Sequence, residues 1–169
     1  MIFAPIFTSL LFIATCATAA PVSFKTARQA TATSPITCTN TTATEMLGGA
    51  LAGVQFALEE INPYDGIVDP APLFSTELAV LPVRAVADQL GNLALFPTLP
   101  PQNPPAATAL TDLATGLSGV QTLLANITIG GPALTTVLAN NTQALAEAKR
   151  NLGMALAAAG NLGCTVNSS

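Results

Sequence analysis

Residues able to do chemistry are sparse in this chain, and their spacing argues against a catalytic centre. Glu59 and Glu60 are adjacent, so on a helix their side chains diverge by about 100° and do not converge on one site. They read as a solvated helical face. Asp65 and Asp69 flank Gly66 in a short loop. Two carboxylates there suggest a weak calcium site, but EF-hand spacing is missing, and turn and cap roles fit better. Gly130-Gly131 is not followed by the Lys-Ser/Thr of a phosphate loop, so it marks a helix break. Glu147, Lys149 and Arg150 form a small solubilising patch. The chain has no His, which removes the Ser-His-Asp and Cys-His units and every His-ligated metal site. A non-enzymatic protein without cofactor or metal is the expectation, although carboxylate or Lys chemistry is not excluded by composition.

The elements that must position these residues belong to one domain. The chain has 169 residues, of which 50% are hydrophobic, 8% charged and 5% aromatic. That length is enough to bury a real core. Five basic against nine acidic residues give a formal charge of −4, and a weakly acidic chain with scattered cations has no footprint for nucleic acid.

The two ends carry signals of address. Ile6 to Ala14 is an apolar run followed by small residues and Ala17-Thr18-Ala19, an A-x-A cleavage pattern. The run is shorter than the roughly 20 residues of a membrane span. A signal peptide over 1–19 is the expectation, and an uncleaved membrane-associated helix is the alternative. The C-terminal GNLGCTVNSS lacks the hydrophobic tail of a GPI signal, and no later segment runs for 18 residues without polar interruption, so no transmembrane segment is expected. A secreted protein, extracellular or held at the cell wall, follows. A Thr-rich flexible arm over 20–40, a helical domain over 41–164 and a short tail over 165–169 complete the division. Cys16 falls in the leader, leaving Cys38 and Cys164. In an oxidising compartment these form one intramolecular bridge, the alternative being free or intermolecular thiols. Sequons at Asn40, Asn126, Asn140 and Asn167 are N-glycosylation candidates, with Asn40 and Asn126 best placed near helix ends.

Four apolar stripes follow. Thr42-Ala43-Thr44-Glu45 fits a capping box, and Leu47, Leu51, Val54, Leu58 and Ile61 recur at helical spacing before Asn62-Pro63 stops the run. Asp69-Pro70 opens a second helix with Leu73, Thr76, Val80, Val83, Ala87, Leu90 and Ala94 on one face. Pro82 inside it predicts a kink or break near Val80. Beyond the Pro-rich linker 97–105, Asn103-Pro104 opens a third helix carrying Leu110, Leu113, Leu117, Val120, Leu124 and Ile127. Gly130-Gly131-Pro132 starts a fourth, with Leu134, Leu138, Asn141, Leu145, Ala148, Leu152, Ala155 and Ala159, ended by Gly160 and Gly163. Asn141 is either a buried amide that fixes register or a sign that the stripe rotates towards solvent.

Four helices with short connections form an all-α, up-down-up-down four-helix bundle, its second helix kinked near Pro82 and its ends tied by one disulfide. That topology brings the start of the first helix beside the end of the fourth, and hence Cys38 beside Cys164.

Charge is too scarce for such a bundle. Asp112 is the sole charge on the third helix, and the fourth ends in MALAAA. Such helices bury large faces, self-associate or contact something apolar. An elongated slot lined by Phe56, Phe74, Phe96, Leu113 and Leu117 is one possibility, and a compact Ala-rich core without a cavity is the other. A leader ending ATAAPVS, the Thr-rich arm and the Leu110, Leu113, Leu117 seam resemble the fungal hydrophobic surface-binding and cell-wall galactomannoprotein family over about residues 40–160. The resemblance implies a helical extracellular protein that binds an apolar ligand such as a lipid, or a hydrophobic surface. The alternative is a secreted protein–protein interaction module, either a host-interacting protein or an enzyme inhibitor. The latter would resemble in architecture the plant invertase and pectin-methylesterase inhibitors, whose two internal disulfides this chain lacks the cysteines to form.

Overall fold

The computed structural model describes residues 36–63, 67–97, 105–131 and 135–167. The expected signal peptide, the arm up to residue 35, the Asp65-Gly66 turn, residues 98–104 of the Pro-rich linker with Asn103-Pro104, and Leu134 lie outside the described residues. Six elements follow in order: β1 Ile36–Cys38, α1 Thr41–Glu59, α2 Pro70–Leu95, α3 Ala109–Asn126, α4 Thr135–Ala159 and β2 Cys164–Val166.

The helices form a four-helix bundle in which α1 packs against both α2 and α4, α2 against α3, and α3 against α4. The last pair makes the sparsest contact of the four. The apolar stripes face the centre as their spacing predicts. Leu47, Leu51, Val54 and Leu58 of α1, Leu73, Val80 and Leu90 of α2, Leu117, Val120 and Leu124 of α3 and Leu152 of α4 are all buried. Side chains recurring at steps of three and four stay on one face of a 3.6-residue turn, and burying that face supplies most of the helix stability. Small residues set the spacing where helices close up. A Cβ on Gly116 of α3 would stand 2.5 Å from Val83 Cγ2 on α2, so glycine lets the two backbones approach there.

Both ends of the bundle are stapled. At one end β1 and β2 pair antiparallel with Cys38 opposite Cys164, and a disulfide joins these two residues. The arm expected over 20–40 therefore finishes in an ordered strand, with Ile36 1% exposed, and β2 takes up Thr165 and Val166 of the expected tail. At the other end Val68 bridges Ile129, and Gly130 N–H donates to the Ile67 carbonyl at 2.9 Å.

Two helix boundaries differ from expectation. The N-cap of α1 is Asn40, whose side chain accepts from Ala43 N–H at 3.1 Å; no capping box forms around Thr42. Asn40 wins because it also reaches the chain leaving α4, with Nδ2 donating to the Asn161 carbonyl at 2.8 Å. α3 begins at Ala109, after a stretch over 105–108 that is not helical. Helix α2 continues through Pro82 without a break. Pro82 lies on the exposed side, where water can take the carbonyl that loses its donor. Asp69 caps α2 as expected, accepting from Ala71 N–H at 3.0 Å.

Candidate functional site

The sparse α3/α4 contact leaves a surface groove. Its larger hollow, 520 Å³, lies between Leu110, Leu113, Ala114 and Leu117 of α3 and Leu156 and Ala159 of α4. Leu162, Gly163 and Cys164 close its end, so the disulfide-linked β2 forms one wall. A second hollow of 310 Å³ continues along the same seam past Gln121 and Ala125 of α3 and Lys149, Gly153 and Leu156 of α4. Leu156 belongs to both. Helix geometry explains the opening: Ala125, Gly153 and Ala159 present almost no side chain where larger residues would fill the seam.

Gly163 holds the end wall in place. Its φ is +59°, and a Cβ there would meet Thr39 Oγ1 at 2.9 Å. Thr39 Oγ1 donates to the Gly163 carbonyl at 3.2 Å, and Asn40 N–H donates to the Leu162 carbonyl at 3.2 Å. A left-handed glycine thus turns the chain from α4 into β2.

Of the residues expected to line a slot, only Leu113 and Leu117 border this groove. Phe56, Phe74 and Phe96 are 64%, 51% and 52% exposed and lie outside it. Phe74 shares the outward side of α2 with Leu78 and Leu81, 68% and 49% exposed. By length and composition α2 is apolar enough to cross a membrane, and only 28% of its most apolar stretch is buried. Spacing alone does not separate a phenylalanine on an inner face from one on an unusually apolar outer face.

The polar candidates settle into structural roles. Asn141 is 1% exposed. Its Oδ1 accepts from Asn62 N–H at 3.0 Å and its Nδ2 donates to the Asn62 carbonyl at 2.9 Å, fastening α4 to the chain leaving α1. Glu59 accepts from Gln55 Nε2 at 3.0 Å, and Gln55 Oε1 accepts from Arg84 on α2 at 2.9 Å. Glu77 has its pKa raised above 4.5 by partial burial and, second, by the Glu59 charge. Asn40, Asn126, Asn140 and Asn167 are all exposed, although Asn40 is engaged as a cap and Asn167 Nδ2 donates to Thr37 Oγ1 at 2.9 Å. Among the described residues, no three His, Cys, Asp or Glu side chains group to hold a metal ion.

One residue of the charged patch gains a different meaning. Arg150 pairs with Glu147 at 3.2 Å, whereas Lys149, one step round the helix, borders the groove. The sequence marked Lys149 as charged surface, but its position on the α3 side depends on helix packing.

The chain matches no protein-family model, no curated protein and no solved structure.

Proposed function

We propose that this is a secreted, non-enzymatic protein that holds an apolar ligand in the α3/α4 groove. The observation that carries the reading is the groove itself: a 520 Å³ hollow floored by leucines and continued by a second along the same seam. Its size and lining suit a small apolar ligand, since such sites are concave, mostly apolar and fitted with few polar groups. The scarcity of charge on the helices and the resemblance to fungal surface-binding proteins support the same class. An extracellular setting is compatible with the disulfide.

Gly153 offers a test that separates binding from folding. It is exposed and borders the groove, and a Cβ there would meet no atom within 4 Å. Gly153→Leu puts a side chain into the seam while removing a flexible residue from the interior of α4. Displacement of the neutral fluorophore N-phenyl-naphthylamine should weaken at least tenfold. Thermal unfolding should stay level or improve by about 0.5–1 kcal/mol. Unchanged probe affinity would refute the groove as the site.

A second reading rests on Phe74, Leu78 and Leu81, which make the outward side of α2 apolar and suit adsorption to a hydrophobic surface. Gly153→Leu leaves that side intact. Adsorption to a hydrophobic bead that survives the substitution, with probe binding lost, assigns the two behaviours to separate faces.

A further inference from the structure

We infer that the outward side of α2 is the interface of a homodimer, two copies of the helix packing antiparallel about a twofold axis level with Ala79 and Val80. Phe74, Leu78, Leu81 and Ala85 are exposed and follow one another at steps of 4, 3 and 4. The helix carrying them runs on through Pro82. They make a second stripe, distinct from the buried Leu73, Val80 and Leu90 that face the core. Such spacing is the seam of a helix packed lengthwise against another. A twofold axis suits it, because the order of steps is the same read from either end. The axis sets Phe74 against the small Ala85 of the second copy, and Leu78 against Leu81, so no two phenylalanines collide.

Charge selects a second copy over other apolar partners. Glu77 and Arg84 flank the stripe on the side of α1, both half-buried. Seven residues separate them, a rise of about 10 Å, and neither takes part in an ion pair among the described residues. Arg84 donates to Gln55 Oε1, and Glu77 meets the like charge of Glu59. Antiparallel packing brings Glu77 of each copy beside Arg84 of the other, so the dimer makes two ion pairs that one chain cannot make. A parallel pair would set each residue level with itself and keep acid and base two turns apart. The opposite flank, Ser75 and Pro82, is uncharged and exposed, and nothing there opposes the approach. Asp88 ends the stripe. The contact is therefore short, at the low end of specific interfaces, and association falls at about 10–100 µM. The groove is built from α3 and α4, so it stays open in the dimer.

Sedimentation equilibrium of the whole protein over about 5–300 µM spans that association range and tests the dimer. The mass should rise from one chain towards two. Leu78→Glu, at a position 68% exposed, should weaken association at least tenfold and leave thermal unfolding unchanged. Glu77→Arg and Arg84→Glu should each weaken it about fivefold, since each sets like charges together on both flanks. Mixed in equal amounts, these two variants should associate as tightly as the parent, because their mixed dimer regains an acid–base pair on each flank. Added salt should shrink that recovery. A parent that stays monomeric would overturn the dimer and leave this side of α2 to a hydrophobic surface. Association untouched by Leu78→Glu would overturn α2 as the interface. A mixture no tighter than its separate components would overturn the antiparallel register.

Discussion

At the scale of single residues, Asn141 shows how much a polar side chain on an apolar stripe can mean. Its place among Leu138, Leu145 and Leu152 made it either a buried amide or a local rotation, and spacing alone did not decide. The deciding partner is the backbone of Asn62, distant in sequence and brought in by the turn after α1. One amide supplies an acceptor and a donor to one peptide unit, a match that a slipped α4 would lose. Asn141→Leu removes both bonds and puts a larger, apolar side chain in their place. It should lower stability by about 1–3 kcal/mol, the range for stranding buried hydrogen-bonding groups. Chemical denaturation measures this, and a variant as stable as the parent would mean that the clamp contributes nothing net. Lys149 and the three phenylalanines were harder to place from sequence. Their roles depend on which helix lies beside them and how closely, which three-and-four spacing does not encode.

At the scale of elements, helix existence was legible, whereas the starts of α1 and α3 were not. Leu47 through Leu58, or Leu113 through Leu124, repeat long enough that only a buried helical face explains them. A cap is decided by fewer atoms. Thr42 and Asn40 both satisfy local rules, and the choice fell to Asn40 through a hydrogen bond to Asn161, just past α4. The α1/α2 pair carries a further electrostatic consequence. Burial and the Glu59 charge raise the pKa of Glu77 above 4.5, so the folded state holds that proton more tightly than the unfolded chain. Its favourable contribution is complete below the ordinary value and is lost as pH rises through the raised one. Glu77→Gln should therefore be more stable than the parent at neutral pH, and the gap should close on acidification towards pH 4. Thermal unfolding of both proteins across that window checks the sign. A gap that widens in acid would show that Glu77 is stabilised as the anion.

At the scale of the molecule, the disulfide closes the fold and also walls its groove. Cys38 and Cys164 are separated by 126 positions, so the bridge encloses nearly all of the bundle and restricts the unfolded chain strongly. Loop entropy sets an upper bound of about 4–5 kcal/mol for that restriction. The adjacency was legible because an antiparallel bundle with an even number of helices returns its last end to its first. The short ladder was not legible, since three-residue strands carry no period of their own. Replacing both cysteines, Cys38→Ser with Cys164→Ser, should lower the denaturant midpoint substantially, and a reducing agent should do the same to the parent but nothing to the variant. The four helices bury their stripes independently of the bridge, so the far-ultraviolet circular dichroism spectrum should be retained in water. Because Leu162 and Cys164 line the groove, loosening β2 should also weaken apolar-probe binding more than Asn141→Leu does at the opposite end. Equal weakening by the two variants would tie probe affinity to general stability rather than to the wall that β2 provides.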